Sequence, residues 1–231
     1  MILYSNPTTV LPAFQDIRAT DVAGAIEEIF NLIQRNLSND TSSTIYFDGW
    51  AGFGAAAVLR SIAQEALPSM EDPPPELCFG RIIYIDCSRW TSKRAMQKRI
   101  AEELRLDHKT MSMFDELDEE DDFNGVDHGS RDRVRSVALV IDRTLREGRF
   151  MMIFINGSGD EVLLGRLGIP ESSDCVILWT FSTRCVTMGS YSANKIAEKL
   201  RYTDVLVFCH RSAGGYQAHS LWHCLVKRLL T

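Results

Sequence analysis

Apolar residues in this chain follow two spacings in turn: unbroken runs of four or five, and longer stretches where they recur every three or four positions. Val22, Ala25, Ile26, Ile29, Ile33 and Leu37 have the second spacing and predict an amphipathic helix from Asp21. The turn cluster Asn39-Asp40-Thr41-Ser42 ends it. Ser43 to Asp48 reads as a strand, and Val58, Leu59, Ile62, Ala63 and Ala66 as the next helix, stopped by Pro68 and the Asp72-Pro73-Pro74-Pro75 stretch. Ile82–Ile85, Met151–Ile155, Val176–Trp179 and Val205–Phe208 predict four more strands, too uniformly apolar for a sheet with one wet face. Between them, Met96, Ile100 and Leu104 mark a helix capped by Thr91 or Ser92. Val134, Val137, Ala138, Ile141 and Leu145 mark another, with Gly148 as its stop. Residues 194–200 and 221–230 also look helical, while residues 1–20, with Pro7 and Pro12 and no clear period, form a loose lead-in. Strands alternating with helices predict an α/β fold with a mainly parallel sheet.

Composition narrows the class without naming it. A chain of 231 residues with 45% hydrophobic and 24% charged positions can bury one large α/β core. The net charge of -6 argues against nonspecific nucleic-acid binding, which needs excess Lys and Arg. Asp115 to Asp122 is acidic at every position but Leu117, which predicts a solvated loop. No EF-hand spacing there offers a cation cage. The six cysteines are scattered, some beside apolar runs, as reduced thiols of an intracellular, cytoplasmic protein would be. No secretory segment follows Met1, and no apolar run nears the ~20 residues that span a bilayer. His219-x-x-x-His223, near Cys209, His210 and Cys224, has the spacing of half a zinc site, but no C-x-x-C supplies the other half, so no metal is expected. Trp50, Trp90 and Trp179 read as packing residues, and no nucleophile elbow or triad order accompanies Ser182.

One junction stands apart. Gly49-Trp50-Ala51-Gly52-Phe53-Gly54 lies between the first strand and its helix with the spacing G-x-x-x-x-G. In a phosphate-binding loop of that spacing, backbone N–H groups and the helix N-terminus cradle an anion, and a following Lys and Ser/Thr hold the terminal phosphates and Mg²⁺. Here those two positions are Ala55 and Ala56, followed by Ala57. A tight strand-to-helix turn without a ligand is the plainer reading of the same spacing.

In their order, these pieces resemble the NB-ARC nucleotide-binding domain of plant NLR disease-resistance proteins, in a divergent form like those of grasses. Gly49 to Val58 aligns with the family's G-M-G-G-x-G-K-T-T-L, and Val134–Leu145 with the helix before its third strand. Arg149-Phe150 matches the entry to that strand, and Ile153-Phe154-Ile155-Asn156-Gly157 its Walker B run, which ends Asp-Asp in the family. Ser182-Thr183-Arg184 matches the family's Thr-Thr-Arg. The resemblance implies a P-loop NTPase-like, three-layer α/β/α domain with five parallel strands, the strand entering the glycine loop being central. It implies a nucleotide-binding-like body over residues 21–210 and, in 211–231, the start of a cut-short helical ARC subdomain. It implies ADP or ATP as ligand, at a vestigial site of Gly49, Gly52, Gly54, Ala55, Ala56 and Ala57, with sensor-like Ser182, Thr183 and Arg184, and protein partners such as other NLR or signalling proteins.

The departures then shape the expected chemistry. Without the Lys, charge-assisted bonds worth ~1.5–3 kcal/mol each are lost, about one to two decades of affinity. Ala56 has no hydroxyl for Mg²⁺, Asn156 is a neutral stand-in for the metal carboxylate, and Gly157 leaves nothing to orient a water. Hydrolysis is therefore not expected, and nucleotide binding is weak or absent. A residual ADP-binding protein relying on backbone contacts, and a decaying relative without a role, are the alternatives.

Overall fold

The computed structural model describes residues 13–38, 43–49, 53–87, 92–157, 164–170, 175–181 and 205–211. Six strands, β1 (Ala13–Ala19), β2 (Ser43–Gly49), β3 (Arg81–Asp86), β4 (Phe150–Gly157), β5 (Cys175–Phe181) and β6 (Val205–Arg211), form one sheet in the order β1-β6-β2-β5-β4-β3. Every ladder is parallel. The sheet thus has six strands rather than five. The extra one comes from the stretch expected to be a loose lead-in, where Ala13–Ala19 pairs along its whole length with Val205–Arg211. As an edge strand it has one neighbour, and Ile17 and Ala19 are its buried apolar residues among the described side chains, while Gln15, Asp16 and Arg18 break up any apolar run in the sequence. β2 lies inside the sheet, between β6 and β5.

The connections sort onto two faces. Helices α1 (Val22–Ser38) and α2 (Phe53–Ser61) pack with Ile45, Phe47, Met151, Ile153, Ile155, Val176 and Leu178. Helices α3 (Lys93–Glu103), α4 (His108–Phe123), α5 (Arg135–Leu145) and the short α6 (Leu164–Leu167) share the other core with Ile83, Ile85, Phe150, Met152, Phe154 and Ile177. Alternate residues of β4 feed the two cores, so the strand has to be apolar throughout. The result is the three-layer α/β/α arrangement.

Local signals account for most helix ends. Asp21 Oδ1 accepts the Gly24 N–H at 2.8 Å at the start of α1, and Ser92 Oγ accepts the Ala95 N–H at 3.1 Å at the start of α3. After α2 the backbone widens into a π-helical stretch, Ile62–Ala66, and helix ends before Pro68. α5 has no side-chain cap of its own. Instead the fully buried Gln97 of α3 accepts the Val134 N–H at 2.7 Å and donates to the Val134 carbonyl at 3.1 Å. Its other end differs from expectation: α5 stops at Leu145, and Gly148 is not left-handed.

The acidic run is also not a loop. Asp115–Asp122 lies within α4, because the like charges that would unravel it are met by Lys98, Arg94 and Arg131. Asp107 caps this helix: Thr110 donates its N–H and its hydroxyl to the two carboxylate oxygens, each at 2.9 Å. Those bonds, the backbone one foremost, hold the Asp107 carboxyl below its ordinary pKa. A depressed pKa gives stability that is complete above about pH 4, the unfolded value, and lost as pH falls through the folded one. Asp107→Ala should accordingly unfold earlier in urea at neutral pH, with the gap to the parent chain narrowing as pH drops below about 4. A gap independent of pH would show that the carboxylate charge is not what caps α4.

Candidate functional site

In an open parallel sheet, ligands bind outside the carboxyl ends of the strands, where the crossovers change face. Here β2 leaves through α2 on one face, whereas β4 leaves through α6 on the other. The switch therefore falls between β2 and β4, with β5 in the gap.

Three backbone features mark this edge. β2 ends at Gly49 and α2 begins at Phe53, so at most three residues make the strand-to-helix turn. The β2–β5 ladder ends at Tyr46↔Trp179, although β2 runs on to Gly49 beside β6 and β5 runs on to Phe181 beside β4. The β2–β5 pairing thus stops short of both strand ends. Finally, Phe154 pairs with Trp179 and Gly157 with Phe181, so Ile155 and Asn156 together oppose Thr180. That is a β-bulge, a device that re-aims side chains at the rims of sheets and beside functional sites.

At the last β2–β5 pair, the Tyr46 and Trp179 rings meet edge to face, with centroids 5.4 Å apart and planes at 71°. Trp179 packs against the core shared by α3 to α6, as a packing residue does.

The expected site residues divide into three groups. Gly49 closes β2 and Asn156-Gly157 closes β4, two strands apart, or about 10 Å at ordinary strand spacing. Gly54, Ala55, Ala56 and Ala57 all lie in the first turns of α2. Ala55 is fully buried in the core that joins α2 to α1, Ala56 is half-buried, and Ala57 is exposed. Gly52, Ser182, Thr183 and Arg184 lie outside the described residues, as do Trp50, His219, His223 and Cys224. Cys209 is paired with Gly49 in the β2–β6 register. Among the described residues, no three His, Cys, Asp or Glu side chains are grouped to hold a metal ion, and no helix is long and apolar enough to cross a membrane.

Two residues at this edge escaped the sequence reading. Thr180 is buried, 2% exposed, opposite the bulge, and Asp86 ends β3. Each is the polar residue closing an apolar run toward the strand's carboxyl end, and that change from apolar to polar is its signal in the sequence. Nearby, Arg60 of α2 donates from Nε to the Tyr84 hydroxyl at 3.2 Å. That bond and the charge of Asp86 keep the Arg60 guanidinium more basic than usual.

No family model and no curated protein sequence matches this chain. Among solved structures, it is similar to Cdc6p from Pyrobaculum aerophilum, with 14% identity and a TM-score of 0.44 over 90% of this chain. The chain spans about half of that protein, 49% of its length.

Proposed function

We propose that this chain is a P-loop NTPase-like module of the NB-ARC kind whose nucleotide site has lost its catalytic groups and which acts through protein contacts. The observation that carries the reading is the β2–α2 junction. Gly49 ends β2 beyond the last β2–β5 pair, with three residues between it and α2, yet the positions that would grip phosphate and Mg²⁺ are Ala55 and Ala56. Asn156, at the bulged end of β4, brings no carboxylate to the metal position. The plant-defence role belongs to the same reading and rests on the order of sequence motifs, while a cytoplasmic location rests on the scattered cysteines.

Titration calorimetry with ADP, with and without Mg²⁺, and a Mg-ATP turnover assay test it. The expected result is no turnover above background and no ADP heat at millimolar ADP, with or without Mg²⁺, since losing the lysine alone takes away about one to two decades of affinity. Turnover that depends on Mg²⁺ and disappears in Gly54→Val would overturn it. The backbone cradle needs no side chains, which favours a second reading, a weak ADP binder. Measurable ADP heat without turnover selects that second reading, and no heat at millimolar ADP selects the first.

A further inference from the structure

Seven carboxylates occupy eight consecutive positions in α4, an arrangement that repels itself along both helical spacings. Apolar burial does not explain why the helix persists. Its buried residues are Thr110 and Phe114, both in the first half, and past Phe114 only Leu117 packs, half-buried, against the core. The second half, 115–123, is held by charge. Arg94 Nη1 lies 2.9 Å from Asp118 Oδ1 and 2.6 Å from Asp121 Oδ2, and donates to the Leu117 carbonyl at 3.1 Å. Arg131 Nη1 lies 3.1 Å from the same Asp118 oxygen, and its Nη2 pairs with Asp122. Lys98 adds a contact of 2.6 Å to Asp115.

The two arginines are more deeply buried than the carboxylates they hold. The Arg94 and Arg131 side chains are 9% and 7% exposed, against 21% for Asp121, 29% for Asp118 and 60% for Asp122. Arg94 is tied to the body by donating from Nε to the Asp132 carbonyl, and its N–H meets the Arg131 carbonyl. Both guanidiniums straddle one oxygen, and Arg131 Nε is buried without a hydrogen-bond partner among the described residues. α3 ends beside the start of β3, where Arg81 reaches the Leu104 carbonyl at 3.4 Å, so Arg94 at its other end lies toward the carboxyl edge of the sheet.

We propose that residues 115–123 form a charge-held latch over a two-arginine anion clamp, and that it opens as a unit when a multiply charged anion engages Arg94 and Arg131. Asp118 occupies the clamp in the closed state. Burying charge in a fixed pair gains little net stability, because desolvation offsets the attraction. A latch held this way sits at the low end of local opening free energies.

Hydrogen exchange on the full chain tests this. In Asp118→Asn/Asp122→Asn, which keeps side-chain size, amides of 116–123 should exchange at least about tenfold faster, with β4 and α5 unchanged. Millimolar tripolyphosphate should speed the same amides in the parent chain more than KCl of equal ionic strength does, and Arg131→Gln should abolish that excess. If Arg131→Gln does not fold, Arg131→Lys, which removes the forked geometry but keeps the charge, serves instead. Unchanged exchange in the aspartate variant, acceleration spread over the whole domain, or equal effects of the two salts would each overturn the proposal.

Discussion

Replacing Gly168 by alanine should destabilise the protein by about 3 kcal/mol or more, an effect set by one missing methyl group. Gly168 follows α6 with φ of +95°, a region where a side chain costs about 1–2 kcal/mol. Its N–H bonds the Gly165 carbonyl at 3.2 Å, and the Ile169 N–H bonds the Leu164 carbonyl at 3.2 Å. These are the paired bonds of a Schellman cap. The turn drives Leu167 and Ile169 into the core beneath α5. A Cβ at this position would stand 2.1 Å from the Ala138 carbonyl oxygen and 2.9 Å from Ala138 Cα. Because those atoms are backbone in the middle of α5, relief requires moving the helix, and the overpacking term of ~1–3 kcal/mol adds to the dihedral one. Urea unfolding checks this through a lower midpoint at unchanged slope. Gly165→Ala, three residues earlier with nothing within 4 Å of its Cβ, is the control and should be neutral or slightly stabilising. Equal effects of the two substitutions would show that α5 and α6 are not packed as described.

The same contact shows where sequence stops informing structure. Gly148 looked like a helix stop because it follows a legible periodic stretch, whereas Gly168 follows α6, only four residues long and too short for any period. The apolar runs inside β3, β4 and β5 could be read because burial on both faces leaves few polar positions to confuse the pattern. β1 could not, since Phe14-Gln15-Asp16-Ile17-Arg18 has one laddered neighbour, and its place depends on β6, nearly two hundred residues away. The acidic run likewise depends on partners distant in sequence. The run from Asp115 to Asp122 looks self-repelling in isolation, and the arginines that neutralise it come from the start of α3 and from the approach to α5. At the carboxyl edge, sequence order puts Gly49 and Asn156 at strand ends, but where the β2–β5 pairing stops and the bulge opposite Thr180 are properties of register. No local pattern encodes register when both faces are apolar.

Restoring a lysine at the glycine-loop junction should fail to restore a phosphate site. Ala55 occupies the position where the G-x-x-x-x-G spacing calls for Lys, and it is fully buried within the core shared by α1, β2 and α2. Ala25 and Ile29 of α1 and Val58 and Leu59 of α2, all fully buried, belong to that core. Ala55→Lys must either force three further methylenes into close-packed space, at ~1–3 kcal/mol, or push α2 away from its neighbours. The ammonium adds a desolvation cost unless it reaches solvent by snorkelling. The expected outcome is a loss of at least about 2 kcal/mol in urea unfolding, with no gain in ADP affinity. Ala57→Lys separates burial from charge: that position is exposed two residues along the same helix and should stay within about 0.5 kcal/mol of the parent chain. Should Ala55→Lys instead fold normally and bind ADP ten times more tightly, the alanine would be a recent loss from an open cradle, and nucleotide binding would be the better reading of this fold. Destabilisation confined to Ala55→Lys would mean that the start of α2 has been repacked as core, leaving only the backbone turn of Gly49 to meet a ligand.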